Sequence, residues 1–137
     1  MVGAELGLVH NYWYRMKGEM PNGAMTEIDF KMLDVVGCVG TKGFVLGDRY
    51  KHKDAYDIVS VLDHYGNGVK EVANAFLPFL EEPQIQESLK RIGKMFSDER
   101  SEGPLLYADF FEPLHKEERE VFPQRGYMLI SEFLTNL

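Results

Sequence analysis

The chain has 137 residues, 45% of them hydrophobic and 27% charged, with a formal charge of −7 at pH 7. Enough apolar surface is available to offset the entropy of ordering, which excludes a disordered chain, and the acidic balance argues against non-specific nucleic-acid binding unless a local basic patch supplies it. The single cysteine, Cys38, excludes an intramolecular disulfide and a cysteine-based zinc site within one chain, no apolar run is long enough to span a membrane, and Met1–Leu8 lacks the basic-then-apolar order of a signal peptide. A reducing, cytoplasmic setting and one domain over residues 1–137 are the expectations.

Residues 11–31 read as a β-hairpin. Tyr12, Tyr14 and Met16 alternate with Trp13, Arg15 and Lys17, and Ile28 and Phe30 alternate with Glu27, Asp29 and Lys31. Between the arms stands Pro21-Asn22-Gly23, and Asn-Gly is a strong hairpin signal. Two strands alone are marginal in water, so helices or further strands are expected to cover the aromatic face.

Residues 34–137 read as helical. Asp34 is placed to cap a first helix carrying Val35, Val36, Val39 and Phe44. Gly37, Gly40 and Gly43 lie within that helix at a cost of about 1 kcal/mol each, which implies close backbone packing or a break. Asp54 is expected to cap a second helix with Ile58, Val61, Leu62 and Tyr65 on one face, closed by Gly66-Asn67-Gly68. A third carries Val69, Val72, Ala73, Phe76 and Leu80, and Pro83 opens a fourth with Ile85, Leu89, Ile92 and Phe96. Gly103-Pro104 is expected to break the chain. A last helix from about His115 to Leu134 is expected to divide or kink at Pro123. The fold class is α+β: an N-terminal hairpin forming a small antiparallel sheet, then a bundle of about five helices.

Three constellations could carry chemistry. Lys42, Arg49, Lys51, His52 and Lys53 make a basic run in an acidic chain, suited to phosphate or to a solvated loop. In Lys53-Asp54-Ala55-Tyr56-Asp57-Ile58 two carboxylates share one side of a first helical turn, where they could orient a lysine, assist a Mg²⁺ ion or merely cap the helix. Glu27 and Asp29 share a strand face, as metal-binding carboxylates or as ordinary half-exposed strand residues. The glycines around Lys42 match neither phosphate-binding loop pattern, the histidines His10, His52, His64 and His115 lack ligand spacing, and Cys38 sits in an apolar stretch as a small core residue. No metal ligands are assigned.

The stretch from Thr41 to Ile58, Thr-Lys-Gly-Phe-Val-Leu-Gly-Asp-Arg-Tyr-Lys-His-Lys-Asp-Ala-Tyr-Asp-Ile, resembles the C-terminal half of AbiEii/AbiGii-type nucleotidyltransferases, toxin components of abortive-infection and toxin–antitoxin systems. Gly103-Pro104-Leu105-Leu106-Tyr107-Ala108-Asp109-Phe110, Glu117-Glu118-Arg119-Glu120 and Gln124-Arg125 look similar to one branch of that family, so the resemblance runs from about Gly23 onward. It implies nucleotidyl transfer from a nucleoside triphosphate with Mg²⁺. By the same resemblance Lys42 would meet the triphosphate, Asp54 and Asp57 would be the motif carboxylates, and Arg49 and Lys53 would line the mouth. The family's Gly-Ser turn and Asp-x-Asp strand are absent from this chain. The implied reading is therefore a C-terminal portion that is inactive alone, completed by a missing N-terminal segment or by a partner chain, with a cognate antitoxin or a second copy as further possible partners. The alternative is a non-catalytic interaction module that docks through its hairpin edge or its Gly-rich helix.

Overall fold

The computed structural model describes residues 4–49, 52–109 and 116–137, without the side chains at 4, 47–49, 52 and 116–120. A short helix, α1 (Ala4–Val9), leads into strands β1 (Asn11–Glu19) and β2 (Met25–Leu33). Then follow α2 (Val35–Arg49), α3 (His52–His64), α4 (Val69–Phe76), a 3₁₀ turn at Leu77–Phe79, α5 (Pro83–Met95), α6 (Glu102–Asp109) and α7 (Lys116–Thr135). The class is α+β, as the residue patterns imply, with seven α-helices among the described residues rather than about five.

The strands pair antiparallel from Asn11↔Leu33 to Glu19↔Met25, two residues beyond the expected end at Lys31. The connection is longer than a two-residue Asn-Gly turn. Met20 N–H donates to the Ala24 carbonyl at 2.7 Å, Asn22 Oδ1 accepts from Ala24 N–H at 3.0 Å, and Gly23 supplies a φ of +86°. Register puts Tyr12↔Met32, Tyr14↔Phe30 and Met16↔Ile28 on one face. Trp13↔Lys31, Arg15↔Asp29 and Lys17↔Glu27 occupy the other. Neither face is covered among the described residues: Trp13 is 67% exposed and Ile28 57%. Among the described residues the expected cover of helices or further strands is not there.

Asp34 caps α2 as its position implies. Its Oδ1 accepts from Gly37 N–H at 2.8 Å, and its carbonyl from Cys38 N–H at 2.9 Å. α2 then runs through the centre of the molecule, with Val36, Val39 and Leu46 buried. Its glycines serve close approach. A Cβ on Gly37 would stand 2.4 Å from the His10 carbonyl oxygen, and one on Gly43 would stand 2.4 Å from Ser88 Oγ. On the same seam Ser88 Oγ donates to the Gly40 carbonyl at 2.7 Å, so a buried hydroxyl on α5 finds its partner on α2. The Gly-rich face is thus occupied from within at these residues.

Around α2, buried Ala55, Ile58, Val59 and Leu62 of α3, Val72 and Phe76 of α4, Ile85 and Ile92 of α5, and Ile130 and Phe133 of α7 form one continuous apolar cluster. Phe76 meets Phe133 edge-on, with ring centroids 5.3 Å apart. Three features here depart from the sequence reading. Gly103-Pro104 does not break the chain but sits in the first turn of α6, where a proline's missing N–H has no intrahelical partner to lose. Gly103 lets that turn close over Phe96. Of the expected division or kink at Pro123, the division does not occur: α7 runs continuously to Thr135. A proline removes a single intrahelical bond, and buried Ile130 and Phe133 hold the half of the helix beyond it. Lastly, α1 had no signal. It is six residues long, too short for a period to register, and anchors by Leu6, which is fully buried. No described helix is long and apolar enough to cross a membrane.

Candidate functional site

The site grows from the way α2 and α3 pack side by side. α3 begins at His52, so Asp54 lies inside its first turn rather than capping it. From there the carboxylate points inward and is buried, 1% exposed. An ionised carboxylate in that position requires a compensating charge. Lys42, on the facing side of α2, reaches across with Nζ 3.3 Å from Asp54 Oδ1. The same ammonium lies 3.1 Å from Asp57 Oδ2, one helical turn further along α3. Asp57 in turn meets Lys53 Nζ at 3.1 Å. Four charges therefore alternate as Asp54, Lys42, Asp57, Lys53, graded from the interior to a lysine 69% exposed.

Burial pulls the Lys42 ammonium toward its neutral form. Hydrogen bonds and charge from Asp57 and Asp54 outweigh that pull, and its pKa is raised above the ordinary 10.5. Lys42 is therefore a permanent cation at neutral pH. Cys38, one turn earlier on α2, is half-buried, and burial raises its thiol pKa despite nearby Lys42. It is poorly suited to act as a nucleophile.

Of the five residues singled out in the sequence, Lys42, Lys53, Asp54 and Asp57 come together. The Arg49 side chain lies outside the described residues, as do Lys51, the His52 side chain, Phe110, His115 and the side chains of Glu117-Glu118-Arg119-Glu120. Glu27 and Asp29 belong to the hairpin. Asp29 Oδ1 takes Arg15 Nε at 2.8 Å and Glu27 Oε1 takes Lys17 Nζ at 3.4 Å, as exposed surface pairs. Among the described residues no group of three His, Cys, Asp or Glu side chains converges as a metal site. Asp54 and Asp57 both turn toward lysine ammoniums, so the donor set does not fit Mg²⁺.

A second polar cluster lies on the α6–α7 side of α3. Arg125 Nη2 donates to Asp63 Oδ2 at 2.7 Å, and the two flank a cavity of about 250 Å³ that Tyr56, Tyr107 and Phe122 also line. Burial raises the Tyr107 phenol pKa, with opposing help from Arg125. Sequence reasoning picked Arg125 only as part of a resemblance and passed over Asp63. The two stand on different helices, and no local spacing could join them. Neither this cavity nor the two further surface cavities along α7 is lined by Lys42, Asp54 or Asp57. Comparison with known proteins finds no match: no family, no curated protein and no solved structure resembles the chain closely enough to count.

Proposed function

We propose that this chain is the C-terminal portion of an AbiEii/AbiGii-type nucleotidyltransferase. It contributes a phosphate-facing lysine and its anchoring carboxylates, but not the metal-binding strand. The observation that carries the reading is the contact of Lys42 with both Asp54 and Asp57. Asp54 is too deep to meet a ligand and acts as the post that fixes the lysine. Asp57 and Lys53 stand at the rim, where the charge balance can be redrawn when a polyphosphate arrives. A fixed ammonium is suited to neutralising charge on a departing pyrophosphate without reorganising. The residues here do not fit Mg²⁺, so metal carboxylates would come from a Gly-Ser/Asp-x-Asp segment on another stretch of chain or on a partner, with a cognate antitoxin as regulator.

The test is calorimetric titration of the chain with tripolyphosphate and with each ribonucleoside triphosphate. Binding that falls at least about tenfold in Lys42→Met supports the reading. Binding indifferent to Lys42→Met, or no binding at all, overturns it. Magnesium-dependent transfer of labelled nucleotide to RNA or protein by this chain alone is expected to be absent, and robust transfer would overturn the incompleteness.

A further inference from the structure

We infer that the hairpin is a self-association arm, and that its apolar face is covered by the same face of a second copy of this chain. Three observations converge. Tyr12, Tyr14, Met16, Ile28 and Met32 lie on one face, each 39–57% exposed. Together they present on the order of 500 Å² of surface, the size at which an exposed apolar patch marks an interaction site. All six charged residues of the strands, Arg15, Lys17, Glu19, Glu27, Asp29 and Lys31, stand on the opposite face, so the apolar face bears no charge of its own. Those six also cancel, which leaves the hairpin neutral on a chain of formal charge −7.

Two copies that meet through their bodies bring like charge together, whereas two that meet hairpin to hairpin do not. Face-to-face stacking is the geometry of a two-layer β-sandwich, with its layers about 10 Å apart. It buries on the order of 1,000 Å² over both copies, the floor for a specific interface. Aromatic and methionine side chains dominate the patch, as they do in interface centres. The inference is independent of the nucleotidyl-transfer reading, because it concerns the hairpin and not α2 or α3.

Sedimentation velocity over a wide concentration range tests it. A monomer–dimer equilibrium is expected. Tyr14→Lys and Ile28→Lys should each weaken it at least about tenfold, while Lys17→Ala on the opposite face leaves it unchanged. Both lysines replace exposed residues, and an unchanged helical circular dichroism spectrum verifies that the body still folds. Trp13, the one tryptophan, lies on the charged face, so its emission should stay that of a solvated indole in the dimer. A monomer at every concentration, a dimer indifferent to both lysine variants, or a Trp13 blue shift from pairing along the β1 edge would each overturn the face-to-face arm. So would a hairpin that binds only a different protein.

Discussion

The hairpin and the helical body are built from the same kinds of side chain put to opposite uses. In the body, Ile58, Phe76, Ile92 and Phe133 are fully buried. On the hairpin, Trp13 and Ile28 remain mostly in solvent although the strands pair over their whole length. In the body, apolar residues recur so that faces of different helices meet. In the hairpin they recur so that one face is free of charge, and among the described residues no second element answers it. Regular patterning therefore specifies an element, but stability comes only where a second element accepts the face.

Mutations can break this contrast, and the largest effect is expected in the body. Phe133→Ala removes a ring from the centre of the cluster and should cost about 3–5 kcal/mol in urea unfolding. A loss below about 1 kcal/mol would show that the cluster is loosely filled. Gly43→Ala comes next. Its new Cβ would meet Ser88 Oγ and Ile92 side-chain carbons at 2.4–2.8 Å. It should destabilise by about 1–3 kcal/mol despite the better helix propensity of alanine, and a gain in stability would mean that α2 and α5 separate freely.

Lys42→Met sharpens the electrostatic side of the comparison. The folded-state pKa of Lys42 lies above 10.5, so its contribution is complete below that pH and is lost as the pH climbs through the folded value. The wild type should unfold at a higher urea midpoint than Lys42→Met at neutral pH, and the gap should narrow above pH 10.5. A gap that persists unchanged in strong alkali would count against the charged lysine as its source. The smallest effect is expected on the hairpin. Arg15→Ala removes exposed pairs with Asp29 and Glu27 and should change global unfolding by less than about 1 kcal/mol. A larger loss would tie the hairpin to the body more tightly than its few contacts suggest.

What could be read from the sequence follows the range of the forces involved. Strand alternation, the Asp34 cap, Pro83 at a helix start and the Gly66–Gly68 stop are local, and each appears where its residues imply. The glycines of α2 implied close packing or a break, and only the fold reveals that the helix is unbroken and that His10 and Ser88 are the neighbours. Gly103-Pro104 misled, and Pro123 failed to divide α7, because breaker chemistry depends on position in the helix, which in turn depends on tertiary burial. The Lys42–Asp54 contact joins residues twelve apart on two helices, and spacing alone left Asp54 open between orienting a lysine, assisting Mg²⁺ and capping its helix. The Arg125–Asp63 pair, sixty-two residues apart, left no trace in either period.

The root of the hairpin carries a mechanical consequence. His10 is buried there, with Nε2 2.9 Å from Glu82 Oε2 ahead of α5 and its ring edge-on to Phe79, while its carbonyl accepts from Asp34 N–H where β2 ends. One residue therefore ties both legs of the projection to the molecule, its ring holding the body and its carbonyl the end of the second strand. Strands of nine residues reach roughly 30 Å from that clamp, so tilting it by about 10° would swing the far turn through about 5 Å. The aim of the projection is set at its base, by a residue that never touches whatever lies at the tip.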